Sequence, residues 1–182
     1  MGDRQAAREQ ERPIRQAIVV MGVSGSGKST LGGLLARELD CRFIEGDELH
    51  APTSIEKMRR GEALTDTDRW PWLDRLGEAL HTATEADSLV VGACSALKYR
   101  YRDRLRDIVG APVSFIMLEA DREELSRRLD RRKGHYMPAS LLASQLDALE
   151  RPHAFERAVI LDGGQSPEAL CRASRTWLER QL

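Results

Sequence analysis

Nine residues, Gly22-Val23-Ser24-Gly25-Ser26-Gly27-Lys28-Ser29-Thr30, lie between an apolar run, Ala17–Met21, and a segment from Leu31 to Leu39 with the apolar spacing of a helix. This arrangement constrains the fold more than any other feature of the chain. A strand must end, glycines must let the backbone curl until its N–H groups converge, and a helix must begin with its positive dipole end at the same point. A glycine-rich loop in that setting is a phosphate-binding loop, and its expected guest is a nucleotide. Gly22, Ser24, Gly25, Ser26, Gly27 and Thr30 form the expected cradle. Lys28 would reach the terminal phosphates as a point charge, and the Ser29 hydroxyl would be a ligand for Mg²⁺.

The rest of the chain repeats the strand-then-helix order. Arg42-Phe-Ile-Glu45 reads as a short strand, and the apolar runs at 88–94, 113–118 and 158–161 read as strands too. Segments 54–60, 69–84, 98–109, 121–132, 139–149 and 167 to the end read as helices, with Asp68 and Asp121 as caps and Pro71 in a first turn. Short, wholly apolar strands alternating with amphipathic helices give an α/β fold, a parallel sheet covered on both faces. At 182 residues the chain makes one domain, residues 16–182, behind a charged arm at 1–15 that carries no periodicity. Basic and acidic residues number 28 and 29, so no net field draws the chain to nucleic acid or an anionic membrane, and a small molecule is the expected partner. No segment reaches the length of a membrane span, and the stretch Asp3–Arg15 lacks the apolar core of a signal peptide, which implies the cytoplasm. The three cysteines match neither a metal nor a disulfide spacing.

In such sheets ligands gather at the carboxyl ends of the strands. After the second strand come Asp47 and His50, where a carboxylate can hold an acceptor hydroxyl in line with the terminal phosphate and take its proton. Arg69 stands at a helix start with the fork geometry that grips a carboxylate through two parallel bonds. After the third strand, Lys98 and Arg102 offer positive charge. Only four lysines occur, at 28, 57, 98 and 133, against a strong arginine bias, so each invites attention. The absence of asparagine excludes the guanine-reading signature of switch GTPases and weakens a non-enzymatic switch reading.

Taken in order, the phosphate loop, Gly46-Asp47-x-Leu49-His50, Lys57-Met58-x-x-Gly61, Leu64-Thr65-Asp66-x-Asp68-Arg69-x-Pro71-Trp72-Leu73, Cys94-Ser95-Ala96-Leu97-Lys98 and Gly134-His135-Tyr136-Met137 resemble the bacterial gluconokinase family. The resemblance implies a P-loop kinase related to adenylate and shikimate kinases: a five-stranded parallel sheet flanked by helices, a substrate-binding helical segment, and a lid at about 127–138. It implies transfer of phosphate from ATP, with Mg²⁺, to D-gluconate, giving 6-phosphogluconate for central carbohydrate metabolism, and a homodimeric assembly. Lys28, Asp47 and Arg132 would then be catalytic and Arg128 would lie near the adenine. Asp47, His50, Lys57, Arg69, Lys98, Arg102, His135 and Gln145 would meet a substrate that carries a carboxylate at one end and hydroxyls along its length. A kinase for another small acid or polyol remains the alternative. Two departures stand out: Glu45 replaces an aspartate that members often carry, and the stretch Leu161–Pro167 is altered, so adenine contacts there do not transfer. No strand ends in a Walker-B aspartate, which leaves Ser29, phosphates and water as the expected surroundings of the metal.

Overall fold

The computed structural model describes residues 15–131 and 141–181. The elements run β1 (Gln16–Met21), α1 (Lys28–Glu38), β2 (Arg42–Glu45), a 3-10 turn (Gly46–Leu49), α2 (Pro52–Arg59), α3 (Asp66–Asp87), β3 (Leu89–Ala93), α4 (Tyr99–Val109), β4 (Val113–Glu119), α5 (Arg122–Arg131), α6 (Leu142–Ala148), β5 (Ala158–Asp162) and α7 (Pro167–Glu179). The charged arm, apart from Arg15, lies outside the described residues, as do Arg132, Lys133, Gly134 and His135 of the expected lid.

The five strands form one sheet in the order β2-β3-β1-β4-β5, and every pairing is parallel. β1 is central and buried along its whole length, which is why its residues are apolar without alternation. Alternate side chains enter two cores. Ala17, Val19 and Met21 meet Trp72, Leu76 and Leu80 of α3 and Leu105 of α4. Ile18 and Val20 meet Leu31 and Leu35 of α1 and Leu170 and Leu178 of α7. Each such side chain removed from water contributes about 1.5–3 kcal/mol before chain entropy is charged against it. A smaller cluster joins Val23 of the phosphate loop to Leu97, to Leu125 and Leu129 of α5, and to Leu142 of α6.

α3 departs from the expected start. Its cap is Thr65, whose hydroxyl accepts from the Asp68 N–H (3.3 Å), while the Asp68 carboxylate accepts from the Thr65 N–H (2.7 Å). Asp68 is therefore the third helical residue of a reciprocal capping box, not the cap. Pro71 falls inside the helix, where it supplies no N–H to the Thr67 carbonyl. Asp121 does cap α5, accepting from the Glu124 N–H (2.8 Å).

Candidate active site

The donor side is built from backbone. Gly22 has φ 140°, and a Cβ there would lie 2.7 Å from the Leu118 carbonyl oxygen, so no other residue fits at the exit of β1. Gly27 precedes α1 with φ 98°, and no side chain caps that helix, which leaves its first N–H groups directed into the loop. The Ser26 hydroxyl is buried with no hydrogen-bond partner among the described residues. Lys28 Nζ donates to the Val23 carbonyl (2.9 Å). An orphaned hydroxyl, uncapped helix amides and an ammonium group are the donors that a chain of phosphates requires. Beside them a cavity of about 290 Å³ is lined by Gly25, Thr30, Arg128, Gly163, Gln165 and Pro167. Arg128 is braced there by Glu124 (2.8 Å) and by the Gly163 carbonyl (2.9 Å).

For a divalent cation the fit is of one kind only. Among the described residues no cluster of three His, Cys, Asp or Glu side chains is placed to hold a metal. Ser29, in the first turn of α1, offers a hard oxygen next to the phosphate cradle. Such a site suits Mg²⁺, which keeps several waters and shares phosphate oxygens rather than entering an all-protein cage.

The acceptor side is built from side chains. Gly46 follows β2 so closely packed against β3 that a Cβ would lie 2.3 Å from the Ala93 carbonyl oxygen. The turn it opens carries Asp47, whose N–H donates to Glu45 Oε1 (3.3 Å); the departing Glu45 thus caps the turn. Trp72 of α3 fixes the same turn twice. Its Nε1–H donates to the Gly46 carbonyl (2.7 Å), and its ring stacks on His50 with centroids 4.2 Å apart. His50 Nδ1 is buried without a partner among the described residues. Burial, with Arg69 and Arg75 nearby, outweighs the attraction of Asp47 and pushes the His50 pKa down to about 4. A neutral imidazole at physiological pH both donates and accepts, which suits a hydroxyl-rich ligand.

Glu45, Ala93 and Val20 are paired in line across β2, β3 and β1, so the stretches that carry Asp47, Cys94 and the phosphate loop leave the sheet at one edge. Burial raises the Cys94 thiol to about 12, the Ala96 N–H lowers it, and the charges acting on it are those of Asp47, Lys28 and Arg69. Arg69 lies over the face of Tyr101 at 5.8 Å, and no carboxylate pairs with it among the described residues. Two other expected substrate cations are engaged. Lys57 bonds Asp68 (2.7 Å), and Lys98 bonds Asp66 (3.1 Å), which also receives Arg100 and the Tyr101 hydroxyl. Lys57 and the Thr65 donors hold the Asp68 carboxyl at about 2. The Tyr101 hydroxyl, then Lys98 and Arg100, lower Asp66 against its burial. Each ammonium keeps donors for a hydroxyl, but its charge is already answered.

One expectation needs correction. Arg102 does not reach a substrate: it is fully buried, forks onto Glu156 (2.7 and 2.8 Å) and donates to the carbonyls of Ala96, Leu97 and Glu150. Burial alone would raise the Glu156 pKa, but Arg102, the His153 N–H and Arg106 bring it down to about 2. This network braces the turn at Ala96, a non-glycine residue with φ 43°. Gln145, expected at the acceptor, turns its Oε1 to the Ser24 N–H of the phosphate loop (2.6 Å). His135 and Arg132 lie outside the described residues.

A family model described as an AAA domain matches residues 18–152. The chain is 45% identical over 153 residues to a gluconokinase of Gluconobacter oxydans, covering 84% of this chain and 85% of that one. It is 44% identical over 146 residues to a thermosensitive gluconokinase of Escherichia coli, covering 80% and 77%. Among solved structures, a gluconokinase from Sinorhizobium meliloti superposes with a TM-score of 0.82 at 44% identity, covering 93% of this chain and 95% of that one.

Proposed function

Because the chain belongs to the gluconokinase family, we propose that its site transfers the γ-phosphoryl group of ATP to the primary hydroxyl of D-gluconate, giving 6-phospho-D-gluconate and ADP. The observation that carries this reading is the register of the sheet: Glu45, Ala93 and Val20 are paired in line, so the turn with Asp47 and the loop with Lys28 leave the sheet at the same edge. Trp72 ties the helix that carries Arg69 to that turn, and Arg69 has no carboxylate partner among the described residues.

The roles follow from charge and reach. Arg69 takes the gluconate carboxylate through its fork, and neutral His50, with the remaining donors of Lys57 and Lys98, takes hydroxyls along the chain. Asp47 orients the primary hydroxyl and accepts its proton as the oxygen bonds phosphorus and the bond to the ADP oxygen breaks. Lys28 and the loop N–H groups answer the charge on the transferring oxygens, and Arg132 joins them from the lid segment. Ser29 would hold Mg²⁺ together with the phosphates, and the ion would supply positive charge to the transfer. Arg128 and the cavity beside Gly163 receive the adenine. A single domain over residues 16–182, a lid at about 127–138, a homodimer and a cytoplasmic location complete the proposal. The three free cysteines fit a reducing compartment.

The test is ADP release with ATP and Mg²⁺ against a panel of sugar acids, polyols, shikimate and nucleoside monophosphates. Gluconate should be the preferred acceptor. Turnover with shikimate or a nucleotide, and none with gluconate, would overturn the assignment.

A further inference from the structure

Gln145 is a polar side chain in an apolar stripe. On α6 and its end, Leu142, Leu146 and Leu149 pack with Val23, Leu97 and Leu125, and Gln145 is buried among them. Burying an amide there is costly unless it is bonded, and its Oε1 accepts the buried Ser24 N–H at 2.6 Å. That N–H belongs to the peptide unit whose other end is the Val23 carbonyl. The same carbonyl accepts the Lys28 ammonium (2.9 Å) and the Ser26 N–H (3.3 Å). A peptide unit is planar, so fixing its N–H fixes where its carbonyl points. Gln145 therefore sets, from a helix more than 100 residues away in sequence, the direction of the oxygen to which Lys28 is tethered.

We propose that Gln145 is a positioning residue for phosphoryl transfer, acting on Lys28 through the Val23–Ser24 peptide, and that it does not contact the acceptor. The proposal rests on the role given to Lys28 above. Without the Gln145 oxygen the Ser24 N–H is buried and unpaired, and the peptide is free to rotate toward another acceptor, taking the lysine's anchor with it.

The test is a double-mutant cycle read by ATP binding without acceptor, using Gln145→Met, Lys28→Ala and the pair. Gln145→Met should weaken ATP by about tenfold in the native background and by less than about twofold beside Lys28→Ala, because coupled residues do not add. At saturating ATP, kcat should fall while the KM for gluconate stays within about twofold. Equal losses in both backgrounds, or a raised gluconate KM with unchanged ATP affinity, would overturn the proposal. Should Gln145→Met not fold, amide exchange of the native protein decides. The Ser24 N–H should be protected before any nucleotide is added and indifferent to gluconate; rapid exchange, or protection gained only with gluconate, refutes the assignment. The binding and exchange arms need no turnover. A failed gluconate assignment would therefore appear in the acceptor panel, not here.

Discussion

The two halves of the site are made of different material. Around Gly22–Ser29 the geometry resides in the main chain, with positive φ angles, uncapped helix amides and a strand buried on both faces. Around Asp47, Asp66–Arg69 and Cys94–Lys98 it resides in side chains that answer one another: Lys57 with Asp68, Lys98 with Asp66, Arg102 with Glu156. A backbone cradle is specified by which residues tolerate a conformation, and it reads directly from a local motif. A side-chain network is specified by which charges meet across long separations. A count of cations near the acceptor therefore overstates how many are available to it.

The largest effect should separate the halves most cleanly. Lys28→Ala is expected to lower kcat by about 10³–10⁵-fold, the range for removing a principal charge stabiliser in phosphoryl transfer, while circular dichroism and the unfolding midpoint stay unchanged. Near-normal turnover would end the contrast, since the cradle would then be packing alone.

Next comes the acceptor-side brace. Glu156→Gln leaves the Arg102 charge buried and unanswered and should cost about 3–5 kcal/mol in urea unfolding. Replacing Arg102 and Glu156 together by methionine should recover most of that loss. A single variant as stable as the native chain would show that Arg102 has water or substrate for company after all.

His50 gives an intermediate effect with a defined sign. Its folded pKa of about 4 lies below the ordinary 6.5. The unfolded chain therefore binds the extra proton first, and the stability present above pH 6.5 is lost as pH falls toward 4. Between pH 7.5 and 4.5 the native protein should lose on the order of 2–3 kcal/mol more than His50→Gln in paired denaturant titrations. Parallel curves would place the imidazole in water.

Arg69→Lys should have an effect no larger than that, and the most specific one. The charge remains and the fork is lost, so gluconate should bind more weakly by roughly 1.5–3 kcal/mol with ATP affinity unmoved. With the carboxylate of the acceptor reduced to an alcohol, the difference should nearly vanish. Equal losses for both acceptors would return Arg69 to a structural role at the start of α3.

The same contrast explains what was legible beforehand. The phosphate loop, all five strands and the cap at Asp121 follow from local spacing, and their boundaries match within a few residues. The start of α3 departs from its local signal because Asp68 is a good cap in isolation; only the reciprocal bond with Thr65 makes it the third residue. Thr-x-x-Asp was the available signal. Arg102 and Gln145 left no local trace. Each is defined by a partner on a distant element, Glu156 in one case and the Ser24 N–H in the other. Trp72 could be read as a packing residue, but not as the donor to Gly46 that holds the turn carrying Asp47.

The central place of β1 has a consequence in time. Its neighbours are β3 and β4, whose first partners in the ladder are Leu89 and Val113. As the chain leaves the ribosome, the strand that carries the phosphate loop must wait until Leu89 and the residues after it have emerged before either flank can close. Until then five consecutive apolar residues, Ala17–Met21, have both edges open, which makes the nascent chain dependent on protection from aggregation. Nucleotide binding, encoded ahead of β3 and β4, is a property the protein acquires only after those strands have been made.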